Sequence, residues 1–228
     1  MSRRRTLVHS LIALAFWLST FARAGQEPLG VEDYKETIRV ACVGDSITFG
    51  FALEKREANS YPAVLGKLLG EKFQVRNFGV SASTLLKKGD WSYWKVAAFE
   101  RVSEFAPHAV VLMLGTNDSK SHNWKFKAEF ADDLRAMVDH LGALPSKPRI
   151  WLCLPVPAYG TRWGISEEIV HGEIIPLIKQ VAAERKLPLI DMYTALSKRP
   201  ALFPDTIHPN ADGTALMAKT VSEALIGK

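Results

Sequence analysis

Ser46, Asn117, Asp205 and His208 are the residues whose types and spacing could do chemistry together. Ser46 lies in Gly44-Asp45-Ser46, Asn117 in Gly115-Thr116-Asn117-Asp118, and the last two in Asp205-Thr206-Ile207-His208-Pro209. A further stretch, Asn77-Phe78-Gly79, falls between the first two. A serine hydroxyl becomes a strong nucleophile only when a base removes its proton, and histidine is the usual base. Asp205 and His208, three residues apart on one tight segment, can set a carboxylate against one imidazole nitrogen and leave the other facing Ser46. The carboxylate then fixes the tautomer and stabilises the imidazolium formed during the reaction. An Asn side-chain amide can donate to the negative oxygen of a tetrahedral intermediate. A glycine such as Gly79 lets backbone approach a ligand closely. This is the inventory of acyl transfer through a covalent serine intermediate. Each stretch also has a plainer reading: a helix cap at Ser46, a strand-ending Gly79, a turn-forming Asn117-Asp118 pair and a surface histidine.

The elements that must position these residues alternate along the chain. Short apolar runs predict strands at Ile38–Val43, Gln74–Phe78, Ala109–Leu114, Ile150–Leu154 and Leu189–Met192, each apolar on both sides as buried parallel strands are. Longer amphipathic stretches predict helices at Tyr61–Leu69, Trp94–Glu104, Phe126–Leu141, Ser166–Arg185 and Ala211–Leu225. Alternation of this kind implies a parallel sheet with right-handed crossovers. Ser46, Gly79 and Asn117 then all follow strand ends, where open α/β sheets bind ligands. Asp45 is read as shaping the turn, Asp118 as steadying its loop, and Asn210 or Asp212 as capping the last helix. The loop from Pro155 to Gly164 is expected to border the site.

These four stretches, with Ile47-Thr48-Phe49-Gly50 after the first and Pro209-Asn210-Ala211-Asp212-Gly213 after the last, resemble the SGNH (GDSL-like) hydrolase family from Ile38 to the C-terminus. The resemblance implies a flavodoxin-like three-layer α/β sandwich with five parallel strands in the order 2-1-3-4-5. It implies Ser46, Asp205 and His208 as the catalytic residues, and an oxyanion hole from the backbone N–H groups of Ser46 and Gly79 with the Asn117 side chain. An α/β-hydrolase elbow would want glycine where Thr48 stands, and an acid three residues before the histidine does not suit that fold. The sequon Asn117-Asp118-Ser119 is read as accidental, since a glycan there would block the pocket.

Bulk properties narrow the rest. Arg3, Arg4 and Arg5, an apolar stretch from Leu7 to Leu18 and Ala22-Arg23-Ala24 read as a secretory signal over residues 1–24, too short to span a bilayer. Residues 25–37 read as a leader and 38–228 as one domain. The signal carries four arginines and no acid, so the net charge of +5 falls to +1 without it. That leaves no field to argue for nucleic acid or an anionic membrane. No His/Cys/Asp/Glu cluster has metal-ligand spacing, so no metal or cofactor is expected. Cys42 and Cys153 lie on strands that the family's order keeps apart, which predicts two buried free thiols.

Aromatic and cationic residues follow the second and third stretches. Trp91, Trp94, Trp124 and His122 are candidates for substrate contact, because aromatic faces pack on sugar rings. The enzymes with similar loops in this family remove acetyl groups from sugars, including acetyl xylan esterases and sialate O-acetylesterase-like proteins. The expected partner is an acetylated sugar or polysaccharide, and the expected location periplasmic or extracellular. A lysophospholipase or thioesterase of the same fold, an acetyl transferase, and a catalytically dead sugar-binding module are the alternatives.

Overall fold

The computed structural model describes residues 27–227, so the expected signal over residues 1–24 lies outside the described residues. Five strands, β1 (Ile38–Gly44), β2 (Phe73–Gly79), β3 (Ala109–Met113), β4 (Arg149–Leu154) and β5 (Leu189–Asp191), form one parallel sheet in the order β2-β1-β3-β4-β5. This is the expected α/β sandwich. Side chains along a strand alternate between faces, and β1 shows the consequence. Val40 and Cys42 join Val111, Trp151 and Ile190 beneath the helices Tyr61–Leu69 and Ala211–Ile226. Ala41 and Val43 join Val110, Leu112, Ile150 and Leu152 beneath Ala97–Phe105, Phe130–Gly142 and Ile175–Arg185. Both faces are covered, which is why the central strands read as unbroken apolar runs.

Cys42 and Cys153 are both buried and free. They share a face, but β3 lies between their strands. Two interstrand spacings come to about 9.6 Å, beyond the ~7 Å reach of a disulfide. Burial pushes the Cys42 thiol up to about 12 and Cys153 likewise upward, so neither is a nucleophile at neutral pH.

Three of the expected helices depart from the sequence reading. The helix expected over Ser166–Arg185 is broken into Glu167–Ile169, a wide π turn at Val170–Ile174, and Ile175–Arg185. Pro176 has no N–H to donate and its ring crowds the preceding turn, so the backbone widens just before it. The helix expected from Phe126 starts at Phe130 after a 3-10 turn, and that expected from Trp94 starts at Ala97, with Trp94 in a 3-10 turn of its own. The leader, over its described part, is docked: Leu29 is buried, its N–H donates to Leu225 O at 2.6 Å, and the Arg149 guanidinium holds the carbonyls of Glu27 and Pro28.

Candidate active site

Sheet register brings the candidate residues together. Gly44 pairs with Gly79 on one side and Met113 on the other, so three strands end level and their loops leave side by side. The gap between them is filled by backbone. A Cβ on Gly44 would come within 2.6 Å of Met113 O, and one on Gly79 within 2.2 Å of Phe49 N. Glycine at both positions lets the Ser46–Phe49 turn sit directly over the sheet edge. Asp45 caps that turn, accepting from Ile47 N at 2.9 Å, and so acts in shaping it.

The segment after β5 returns to this edge. His208 Nε2 lies 2.9 Å from Ser46 Oγ, and His208 Nδ1 lies 2.8 Å from Asp205 Oδ2. The other oxygen, Asp205 Oδ1, accepts the backbone N–H groups of Ile207 (2.9 Å) and His208 (2.7 Å). Thr206 adopts φ 73°, the tight turn that aims both donors at one oxygen. Asn210 Oδ1 then caps the last helix through Gly213 N at 3.0 Å, so His208 is held from both sides.

Electrostatics follow from this packing. Desolvation pulls the His208 imidazolium below its ordinary 6.5; Asp205 opposes the shift, and the nearby Arg162 charge adds to it. Burial pushes Asp205 upward, but the N–H groups of His208 and Ile207 and the His208 ring outweigh it and hold the carboxyl below its usual range. The resting pair at neutral pH is therefore a carboxylate and a neutral imidazole, with Nδ1–H donating and the Nε2 lone pair facing the hydroxyl. A base is lost when protonated, so activity falls as pH drops through the His208 pKa. The acid limb of kcat/KM, which reports the free enzyme, is expected below pH 6.5 in a pH–rate profile on a small acetyl ester.

Three polar donors surround the space in front of Ser46, and one differs from expectation. Asn117 is buried with its carbonyl held by Asn123 Nδ2 at 3.0 Å, and its own Nδ2 donates to Ser83 O at 3.2 Å, leaving one amide hydrogen free. The Ser46 N–H has no acceptor among the described residues. Gly79 does not offer its N–H here: it donates to Asn77 Oδ1 at 2.8 Å, while Asn77 Nδ2 ties down Thr48 O at 2.8 Å. Its glycine serves packing, not an oxyanion. Ser81 and Ala82 line the cavity beside Ser46 and Asn117, and the Ala82 N–H is without an acceptor among the described residues. Ala82 replaces Gly79 as candidate donor. Its φ of 66° is a conformation that normally announces itself as glycine, so the sequence carried no signal for it.

Asp118 steadies the neighbouring loop, accepting Leu85 N at 3.0 Å and Leu86 N at 2.8 Å from full burial. Burial pushes it to about 7 against those two bonds, with Asp45 raising it further. Asp45 is itself raised to about 6 by burial, although Ile47 N–H, the Thr116 hydroxyl and Lys120 all work the other way.

A cavity of about 150 Å³ opens at Ser46 and is lined also by Phe51, Asn117, Lys120, Trp163 and Ile165. The loop from Pro155 to Gly164 thus borders it. Phe51 and Trp163 flank His208 with ring centroids 4.7 and 5.0 Å away and meet edge to face at 5.9 Å. The four residues expected to touch substrate are elsewhere. Trp124 is buried against Phe130, and Trp94 packs at a tilt on Phe99 with Nε1 donating to Leu85 O. Trp91 is exposed and His122 pairs with Asp90 at 2.9 Å, both away from the cavity lining. Trp94 and Trp124, though close in sequence to the second and third stretches, pack their rings against the core. Among the described residues no cluster of three or more His, Cys, Asp or Glu side chains could hold a metal. No helix there is long and apolar enough to cross a membrane.

Fold and site together define a three-layer α/β protein with a serine–histidine–aspartate array at the carboxyl edge of its sheet. The chain belongs to the GDSL-like Lipase/Acylhydrolase family, whose model matches residues 42–216. It is 39% identical over 209 residues to the acetylxylan esterase of Xylanibacter ruminicola, covering 84% of this chain and 44% of that protein. The chain therefore spans less than half the length of that relative. Among solved structures it is similar to Est24, a carbohydrate acetylesterase from Sinorhizobium meliloti, with TM-score 0.67, 20% identity, and coverage of 82% of this chain and 97% of that one. It is also similar to the lipase/acylhydrolase of Enterococcus faecalis, with TM-score 0.67, 23% identity, and coverage of 83% and 96%. At such identities the structures bear on the fold alone.

Proposed function

We propose that this chain is a serine esterase that removes short acyl groups, acetyl above all, from carbohydrates through an acyl-serine intermediate. Ser46 Oγ attacks the ester carbonyl as His208 Nε2 takes its proton. The oxyanion is received by the N–H groups of Ser46 and Ala82 and by Asn117 Nδ2. His208 then protonates the leaving sugar hydroxyl, and water repeats the sequence to release acetate. The observation that carries the reading is the continuous Asp205–His208–Ser46 hydrogen-bonded chain opening on a small cavity.

Cavity size supports a short acyl group. About 150 Å³ is below the ~300 Å³ at which ordinary small-molecule pockets begin, and suits a short acyl group better than a fatty chain. Beside Phe51 and His208 a second cleft of about 380 Å³ opens between residues 52–54 and 204–211. Exposed Phe51 and Trp163 at the mouth offer faces for a sugar ring. Similarity to the Xylanibacter acetylxylan esterase supports an acetylated polysaccharide as substrate, and the signal-like residues 1–24 support action outside the cytoplasm.

Acyl-chain profiling tests the reading. kcat/KM is expected to fall from acetyl to butyryl to octanoyl esters of p-nitrophenol, with acetate released from acetylated xylan; a preference rising with chain length contradicts it. Asn117→Ala is expected to lower kcat by about 10²–10³ with little change in KM, because its free amide hydrogen matters only once the oxygen is charged. A defect confined to KM would instead make Asn117 a binding residue.

A further inference from the structure

Thr206 is the strained residue of the catalytic turn. It stands between Asp205 and His208 with φ 73°, a left-handed conformation that a β-branched side chain rarely adopts. Such a residue keeps that shape only where its surroundings over-determine it. Here the surroundings are the segment Ala158-Tyr159-Gly160. Tyr159 N–H donates to Thr206 O at 2.8 Å. A Cβ on Gly160 would come within 2.5 Å of Thr206 Oγ1, so glycine lets that backbone lie directly on the threonine. Ala158 and Ile165 bury Ile207 in a small apolar cluster of its own.

Glu167 in turn holds Ala158. Its half-buried carboxylate accepts the Ala158 N–H at 2.6 Å on one oxygen and the Tyr193 hydroxyl on the other. Hydrogen bonds to a charged acceptor are roughly twice as strong as neutral ones. Burial, and then Glu167 itself, push the Tyr193 phenol upward, so it stays protonated and donating. Both ends of this link are anchored. Tyr193 lies in the helix Met192–Leu196 directly after β5, and its ring stacks on His171 at 4.9 Å. Ser166, the residue before Glu167, donates its N–H to Ser119 Oγ at 3.0 Å, and Ser119 Oγ donates to Thr116 O at 2.7 Å. Glu167 thus joins the segment that carries Asn117 to the segment that grips the His208 turn, yet it is not part of the cavity lining.

We propose that Glu167 is a positioning residue for the reaction: by holding Ala158 it keeps Thr206 in its left-handed turn, and so keeps His208 Nε2 within reach of the Ser46 hydroxyl. The inference rests on the triad reading above and deepens it. Without the carboxylate, Ala158 N–H loses its acceptor and the segment loosens from Thr206. The threonine then relaxes to a negative φ, and His208, two residues on, turns away from Ser46. A misplacement of about 1 Å between reacting groups costs on the order of 10²-fold in rate.

Steady-state kinetics of the full chain on p-nitrophenyl acetate, run well below the melting temperature of each variant, test this. Glu167→Ala is expected to lose about 10²-fold in kcat with KM within about threefold of the parent. Glu167→Gln is expected to stay within about fivefold, because its oxygen can take the Ala158 N–H and its NH₂ can donate to the Tyr193 oxygen. Glycine adopts a positive φ without strain, so in a Thr206→Gly background the further loss caused by Glu167→Ala should shrink to about tenfold or less. A role in overall stability alone would lower the melting temperature and leave both kcat and this coupling unmoved. Parental kcat in folded Glu167→Ala overturns the proposal. So does a loss confined to KM, or a loss as large in the Thr206→Gly background as in the parent. If Glu167→Ala does not fold, Glu167→Asp carries the test. Its shorter side chain cannot reach both donors, so a loss of about tenfold in kcat is expected, and parental kcat overturns the proposal. An inactive His208→Ala beside a fully active Glu167→Ala defeats the positioning role alone, whereas a His208→Ala variant that keeps its activity defeats the triad reading itself.

Discussion

Ser46→Ala is expected to lower kcat/KM on p-nitrophenyl acetate by about 10⁵–10⁶-fold, and His208→Ala to do nearly the same, because a nucleophile and its base act as one unit. Among the described residues the Ser46 hydroxyl has a single partner, His208 Nε2 at 2.9 Å, so its removal deletes the reaction and almost nothing of the fold. The double variant is expected to be no worse than the poorer single one, since each already abolishes the shared step. Far-UV circular dichroism should match the parent in Ser46→Ala. A residual of 10³–10⁴ over the uncatalysed reaction would come from the remaining oxyanion donors, about what such sites retain. Activity within tenfold of the parent in either single variant contradicts the account.

Asp205→Asn is the second large effect, expected to lower kcat by about 10³–10⁴ while KM changes little. The geometry explains why a nearly isosteric change is so damaging. Oδ1 is committed to two backbone donors, Ile207 and His208, so the asparagine oxygen must stay there. Its NH₂ then faces His208 Nδ1, which can no longer donate and must accept. The ring proton moves to Nε2, the nitrogen that has to receive the serine proton. The turn itself survives, because its two backbone bonds survive. Single-turnover kinetics on an acetyl ester with a thermal melt would check both halves; parental turnover would show that the carboxylate is dispensable.

What could be read before any coordinates was set by how local the determining physics is. The five strands and the order of the sheet follow from apolar runs and a family resemblance, and they fall within a residue or two of Ile38–Gly44 and its neighbours. Asp205 and His208 were legible because three residues of spacing carry their whole mutual geometry. Gly79 was the reasonable donor from sequence, since a strand-ending glycine often faces a ligand. Its real constraint is the backbone of Phe49 at its Cα, a contact thirty residues away in the chain. Ala82 could not be found, because its left-handed backbone is imposed by the surrounding loop and not by its own side chain. Trp94 and Trp124 lie away from the cavity for a related reason. Trp124 lies seven residues after Asn117, yet its ring is buried against Phe130 in the core. Phe51 and Trp163, which do reach the cavity, lie in irregular segments with no periodicity to mark them.

The most direct test of the account is covalent. A p-nitrophenyl phosphonate ester, which transfers its phosphonyl group to an activated serine and then stalls, would be incubated with the full chain, and peptide mass spectrometry would be read against residual esterase activity. One equivalent of label on Ser46, acquired in step with loss of activity and absent from His208→Ala, is the predicted result. Label on another residue, or full activity in protein labelled at Ser46, would contradict it.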